Sequence, residues 1–370
     1  MSRSVDSGKA RVLVVSGSVG AGHDGAADQL IDRLDALGVA SDRRDYLDAV
    51  SWFGRIVLRD GYSLSIGYAP RFFDWLFDNL ERTGWVQRVT LLLCWTARFR
   101  MRRWARGREV VVSTYPLASQ TLGMLRGSGE LDAVVVTYLT DPAVHRMWVH
   151  PHVDHHLTVT EATSRMGRLV YRTPMRAVGG LVSPRFGERL SADRRRALRD
   201  ELGLRDDRPV VLLVAGSLGL GEVPDAVREI AGAGAQVLVL CGRNNRLRAQ
   251  FTTEDEGVLA LGWRDDVPDL MAVADVLVHN AGGLTLTEAL TAGLPAITFR
   301  PIPGHGTANA ATLAEAGLAP WPKDHAELAA TVREHATLRR DPSAVVRETD
   351  AAQVVVGLLA GRERPTQRTA

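Results

Sequence analysis

The chain of 370 residues has two cysteines, Cys94 and Cys241, and two lysines, Lys9 and Lys323. Two cysteines exclude a disulfide framework and the paired-thiolate spacing of a structural zinc site. No apolar run approaches the roughly 20 residues that a membrane span needs; the longest, "VTLLLCWTA", stops after residues 89–97. The opening "MSRSVDSGKA" has no apolar stretch of the secretion-signal kind, so a cytoplasmic protein without a transmembrane anchor is expected. The scarcity of lysine leaves arginine to carry nearly all the positive charge. The net charge is only +2, which gives no reason to expect a nucleic-acid partner.

What is present is a repeated rhythm. Short Val/Leu/Ile runs at 12–15, 110–113, 133–138, 157–160, 210–214, 236–240, 275–278 and 296–299 alternate with longer segments of helical period. Runs that are apolar throughout suit strands covered on both faces, hence parallel sheets in α/β domains. Two of them open the same motif. "VLVVSGSVGAG" (12–22) and "VLLVAGSLGLG" (211–221) align without a gap at an offset of 199 residues. Each reads as a strand, a Gly-rich loop and a helix start, so two Rossmann-type domains are expected. A Pro- and Gly-rich stretch at 172–187 makes the linker. The expected limits are 1–175, 176–343 and a last segment 344–370, whose helix would pack back on the first domain before a frayed polar tail from 361.

The first loop contains Gly20-Ala21-Gly22-His23-Asp24-Gly25, in letters the dinucleotide fingerprint G-x-G-x-x-G. In a nicotinamide enzyme the first glycine follows the strand closely, so that the pyrophosphate meets the helix start. Here Ser16–Val19 intervene and His23 stands where a phosphate would approach, which argues against that reading. In the second half Val276–Val278 lead into Asn280-Ala281-Gly282-Gly283 and a helix from Leu284. Such a turn offers free N–H groups and a positive dipole end to a phosphate. Glu288 lies one turn inside, placed to accept hydrogen bonds from a sugar diol. An ordinary strand–helix turn with an exposed Glu is the alternative.

"GGLTLTEAL…GLPAI…N" in the second half resembles the donor-binding signature of the family 28 glycosyltransferases. "SGSVGAGHDGAA" resembles the Gly-rich loop of their diacylglycerol glycosyltransferase branch (monogalactosyldiacylglycerol synthase-like). "VVTYLTDPAVHRMWVHPHVDHHLTVTEA" (135–162), "LCGRNNRL" (240–247) and "GWRDDVPDLMAVAD" (262–275) are similar to blocks of the same branch. The chain is also similar to the transferase that adds N-acetylglucosamine to the peptidoglycan lipid intermediate. The resemblance implies a GT-B fold, two Rossmann-like doubly wound parallel-sheet domains facing across a cleft. It implies an inverting transfer from a nucleotide sugar, usually a UDP sugar, to a hydroxyl of a lipid such as diacylglycerol. By position it implies Ser217, Gly219 and Arg243 at the donor, Trp263 and Arg264 at its base, and Gly283, Leu284 and Thr285 at its phosphates. Glu288 would hold the ribose, and His305 and Asn309 the sugar. His23 is implied as general base, with Asp141 as rival or partner, and Gly22, His145 and Trp148 on the acceptor side. The family's Gln-Gln or Gln-Glu pair is His305-Gly306 here, which leaves the sugar open. Its hinge Gly-x-Pro is Gly179-Gly180-Leu181, expected to loosen the hinge.

No metal is expected: His145, His150, His152, His155 and His156 do not set three ligands on one face, and no Asp-x-Asp follows a strand. No cofactor is expected beyond the nucleotide-sugar co-substrate. Residues 51–108 interleave eleven arginines with many aromatics, and "RFRMRRWARGR" (98–108) carries six Arg and no acid. Such a segment suits an anionic membrane surface, here the inner face of the cell membrane, with an amphipathic insert whose aromatics pack inward as the alternative. Nucleic acid is not expected, since no recognised module accompanies the charge. A specialised-metabolite acceptor, a nicotinamide oxidoreductase and a non-catalytic sugar-nucleotide binder remain as other readings.

Overall fold

The computed structural model describes residues 10–61, 70–216, 219, 221–251, 257–339, 341–342 and 345–363. Two parallel sheets form its halves. The strands are β1 (Val12–Ser16), β2 (Ser41–Asp45), β3 (Val110–Ser113), β4 (Val134–Leu139), β5 (His155–Thr158), β6 (Arg176–Ala177), β7 (Val210–Val214), β8 (Gln236–Leu240), β9 (Val258–Leu261), β10 (Val276–His279) and β11 (Ala296–Thr298). The first sheet has the order β2-β1-β3-β4-β5-β6, the second β11-β10-β7-β8-β9. Both are doubly wound: the order reverses between β1 and β3 in one, and between β7 and β10 in the other.

All eight apolar runs are strands. The other three strands each lie at a sheet edge. β2 is Ser-Asp-Arg-Arg-Asp, half-exposed along its length, and its pairing with β1 (Val12 opposite Ser41) holds it in place. β6 is two residues paired to β5, so the N-terminal sheet reaches 177, slightly past the expected limit of 175. β9 closes the far edge of the second sheet.

Alternation along β1 sorts the core. Val12 and Val14 face Ala26, Leu30 and Leu34 of the Ala21–Ala36 helix and Val355 and Leu359 of the Ala351–Glu363 helix. Leu13 and Val15 face Cys94, Ala97 and Met101 of the Trp85–Ala105 helix and Leu122 and Leu125 of the Pro116–Gly127 helix. The C-terminal helix thus lies on the N-terminal sheet. Asp350, just before it, pairs with Arg33 at 3.1 Å. Residues 364–370 of the expected tail lie outside the described residues.

The linker is clamped where a loosened hinge was expected. The Tyr138 hydroxyl donates to the Gly179 carbonyl (2.9 Å) and accepts from the Leu181 N–H (3.0 Å). Arg33 donates to the carbonyls of Gly180 (3.1 Å) and Val182 (2.9 Å), and the Gly180 N–H donates to the Val345 carbonyl (2.7 Å). Gly179 sits at φ +79°, and a Cβ there would lie 2.5 Å from the Val345 carbonyl oxygen, so no other residue fits without moving that strand of chain. These five bonds do what a proline ring would have done. Tyr138→Phe leaves a buried N–H and a buried carbonyl without their partner. It is expected to lower unfolding free energy by about 2 kcal/mol, read as a reduced urea midpoint at unchanged slope.

Candidate functional site

The two points where strand order reverses face each other, and the site lies between them. At the N-terminal one, the Ala21–Ala36 helix begins after Gly20, and His23 is in its first turn. The His23 Nδ1 lies 2.7 Å from the Thr114 carbonyl just beyond β3. A carbonyl only accepts, so Nδ1 carries the proton and Nε2 keeps the lone pair. Thr140 Oγ1 stands 3.0 Å from the same Nδ1, and the Thr114 hydroxyl donates to the His23 carbonyl at 2.9 Å. Tyr115 meets the imidazole edge-on at 5.2 Å. Gly17 is bare because a Cβ there would lie 2.5 Å from the Tyr115 ring. Burial lowers the His23 pKa, while Asp141 and the Thr114 carbonyl pull it back. The imidazole is therefore neutral near pH 7.

Asp141 follows β4. Its Oδ2 accepts from the Trp148 indole N–H at 2.8 Å and lies 3.6 Å from the His145 Nε2. Burial opposes its charge, but the His145 hydrogen bond and the nearby His145, His305 and His23 hold its carboxyl well below the usual range. Burial likewise lowers the His305 pKa against the pull of Asp141. One carboxylate is thus set among three imidazoles.

Opposite stands the Gly283–Thr291 helix, entered through Ala281, a non-glycine residue at φ +73°. The neutral, buried His279 accepts the Ala281 N–H at its Nδ1 (3.2 Å). Three helices begin at the cleft, after Gly20, Gly282 and Gly304, and none has a capping side chain of its own. Other helices are of both kinds: Thr160, Ser191 and Asp324 cap theirs, whereas those entered at Gly84, Tyr115, Glu222 and Asp266 also lack a side-chain cap. Uncapped helix starts present N–H groups and positive dipole ends, the arrangement that binds phosphate. Glu288 sits half-buried one turn into the Gly283–Thr291 helix, and burial raises its pKa to about 8.

The residues named from sequence are not all in one place. His23, Gly22, Asp141, His145, Gly283, Leu284 and His305 gather at the cleft, with Thr285 and Glu288 in the same turn of helix. Gly219, at φ +58°, packs against Leu247, the Cys241 carbonyl and Asn244. Arg243 stacks on the half-exposed Trp263 ring at 4.3 Å, and Arg264 pairs with Asp266. Ser217 lies outside the described residues.

Two residues have a different use from the one expected. Trp148 is fully buried, and its indole holds Asp141, so it is a strut behind the acceptor side and no part of its surface. Asn309 is also buried; its Oδ1 accepts from the Ala143 N–H (2.9 Å) and its Nδ2 donates to the Ala281 carbonyl (3.1 Å). Its amide is spent joining the two halves, leaving little for a sugar. Thr114, Thr140 and Tyr115 were missed. Their only signal was position, directly after strands β3 and β4 at the carboxyl edge of the sheet. Among the described residues no group of three His, Cys, Asp or Glu could hold a metal ion.

The two facing Rossmann-like domains make this a GT-B fold. Over 95% of this chain and 99% of its own, the MurG structure from Acinetobacter baumannii superposes with a TM-score of 0.57 at 18% identity. The family model "Monogalactosyldiacylglycerol (MGDG) synthase" matches residues 23–169, and "Glycosyl transferases group 1" matches 210–337. A processive diacylglycerol beta-glucosyltransferase of Bacillus licheniformis is 26% identical over 60% of this chain and 59% of its own length. The chloroplastic monogalactosyldiacylglycerol synthase of Spinacia oleracea is 30% identical over 61% of this chain and 46% of its own length. The match therefore spans about half the length of these relatives.

Glu288 gives the site a pH signature. Between its ordinary pKa of 4.5 and its folded value of about 8, the unfolded chain has lost a proton that the folded chain keeps. This group therefore lowers stability as pH rises through that window. Glu288→Gln has no proton to lose there, so its melting temperature should gain on the wild type from pH 5 to pH 8. A constant difference would contradict the assignment.

Proposed function

We propose that the chain is an inverting glycosyltransferase that moves a sugar from a nucleotide donor, a UDP sugar, to a hydroxyl of a lipid such as diacylglycerol. The observation that carries this reading is one juxtaposition: the helix turn that carries His23, its Nδ1 engaged by Thr114, packs through Gly22 and Gly25 on Leu284 in the uncapped start of the Gly283–Thr291 helix, a start suited to phosphate. The relatives named above act on diacylglycerol or make galactosyldiacylglycerol by their names, which supports the acceptor class.

The acceptor hydroxyl gives its proton to His23 Nε2 while its oxygen attacks the sugar C1. The C1–O bond to the diphosphate breaks, and its electron pair stays on the phosphate oxygen. Attack from the face opposite the departing group inverts C1. The Thr114 carbonyl fixes the imidazole in the tautomer that accepts, and Asp141 stabilises the imidazolium that forms. Asp141 itself is too weak a base for the task, because its neighbours hold it ionised. The growing negative charge on the diphosphate meets the N–H groups of Gly283–Thr285, which are already in place. Nothing in these steps requires a metal or another cofactor. Glu288 accepts from the ribose diol, and the Arg243–Trp263 stack sits beside the base.

In the insert, Trp52, Phe72, Trp75, Trp85, Leu92, Trp95 and Phe99 are exposed. Arginines are interleaved with them, and Arg98 lies over the rings of Trp95 (5.2 Å) and Phe99 (5.4 Å). This surface suits an anionic bilayer, with rings at the headgroup level and guanidinium groups on phosphate. No helix among the described residues is long and apolar enough to cross a membrane. The protein would therefore work as a peripheral enzyme on the inner face of the cell membrane, drawing its acceptor from the lipid.

His23→Ala should lower turnover by roughly 100-fold or more, the scale of general-base catalysis, with UDP affinity unchanged. Transfer from UDP-glucose and UDP-galactose to diacylglycerol in phosphatidylglycerol vesicles measures the first, and calorimetric titration of UDP the second. Full turnover in the variant would refute the base assignment, and a parallel loss of UDP binding would assign His23 to the donor instead.

A further inference from the structure

The Pro70–Glu81 helix belongs to the N-terminal insert, yet its side chains reach the C-terminal half. Asp74 Oδ1 accepts the backbone N–H of Gly304, the residue at which the His305–Glu315 helix begins. That helix has no capping side chain of its own, and Gly304 adopts φ +70°. Phe73 and Phe77 flank the same point. A Cβ on Gly304 would lie 3.0 Å from the Phe73 ring and 3.0 Å from the Phe77 Cβ, and the two rings stand 5.9 Å and 6.1 Å from the His305 imidazole. Phe77 also meets His145 edge-on at 5.5 Å, and His145 is the neighbour of Asp141.

The far end of the helix is tied to the first half. Glu81 accepts the Arg146 N–H and the Tyr171 hydroxyl, each at 2.8 Å. The Pro70–Glu81 helix is therefore a brace: Glu81 fixes it beside the acceptor block, and Asp74 fixes it on the helix that carries His305. Residues 73, 74, 77 and 81 lie on one face by helical spacing. Phe72 and Trp75 point away from that face, half-exposed and stacked at 5.6 Å.

We infer that Asp74 is a positioning residue for the sugar end of the donor site: it caps the His305–Glu315 helix from the acceptor half, and Phe73 and Phe77 wall the pocket beside His305. This rests on the nucleotide-sugar reading given above. The nucleotide end of the donor is held by the C-terminal half alone, whereas the sugar end is complete only when the insert is seated. Donor discrimination is then shared between the halves, and it is coupled to the surface carrying Phe72 and Trp75.

Two measurements on the full chain test it. Hydrogen exchange without ligand reads the cap directly. Asp74→Ala should speed exchange of the Gly304–Ala308 amides by roughly fivefold, the factor that a lost N-cap bond of about 1 kcal/mol gives. Asp74→Asn, which keeps the accepting oxygen, should restore protection, and Asp78→Ala on the same helix should match the wild type. Calorimetric titration then compares UDP with UDP-glucose, UDP-galactose and UDP-N-acetylglucosamine. Asp74→Ala should leave UDP binding unchanged and weaken the UDP sugar that the wild type prefers by a similar factor, and Asp74→Asn should recover it. Unchanged exchange in Asp74→Ala, or equal weakening of UDP and the UDP sugar, would overturn the inference. If the wild type binds none of the four nucleotides, the nucleotide-sugar reading fails, and the exchange result alone decides whether Asp74 holds the helix.

Discussion

Everything at the cleft depends on how closely the Gly283–Thr291 helix start approaches the chain after β4. A Cβ on Gly283 would lie 2.0 Å from the Thr140 carbonyl oxygen, so the two halves touch here backbone to backbone. The same approach drives Leu284 into the bare spaces left by Gly22 and Gly25; a Cβ at Gly25 would be 2.9 Å from the Leu284 side chain. Thr140 carries His23 on its hydroxyl, and Asp141 is the next residue along. One steric contact thereby sets the distance between the proton acceptor and the phosphate-binding turn. Asn309 reinforces it with bonds to Ala143 and Ala281 on either side of the contact.

The same contact explains the fingerprint in the first loop. Gly20-Ala21-Gly22-His23-Asp24-Gly25 has the letters of a dinucleotide site, but here Gly22 and Gly25 admit Leu284 of the other half. The duplicated β-loop-α unit has diverged in use. The C-terminal half leaves the Gly283–Thr291 helix start without a capping side chain, and the N-terminal copy holds the His23 imidazole on the Thr114 carbonyl. Electrostatics follow from this division. Burial lowers the His23 and His305 pKa values against the pull of Asp141, while the His145 hydrogen bond and the imidazoles around Asp141 favour its carboxylate form.

Much of the fold was legible because parallel strands buried on both faces leave apolar runs, and all eight runs became strands. β2 was not legible, because an edge strand is held by its neighbour's hydrogen bonds and needs no apolar face, whereas β9, Val-Leu-Ala-Leu, is an apolar run that was overlooked. The residues that gather at the cleft were legible where a residue type carries chemistry, as with His23, Asp141 and Glu288. It was not legible where a common residue is used through its backbone or as a brace. Thr114 acts through its carbonyl, and Asp74 and Asn309 act across about 230 and 166 residues of sequence. The clamped linker is another such case, because the partners that replace the hinge proline, Tyr138 and Arg33, come from other elements.

The central claim is that the C-terminal half takes the nucleotide while the look-alike loop of the N-terminal half does not. Hydrogen exchange of the full chain with and without saturating UDP, and with and without NADH, tests it most directly. UDP should protect the amides of Gly282–Glu288 and leave those of Gly17–Gly25 nearly unchanged, and NADH should protect neither. Protection of Gly17–Gly25 by NADH, with none at Gly282–Glu288 from UDP, would contradict the account.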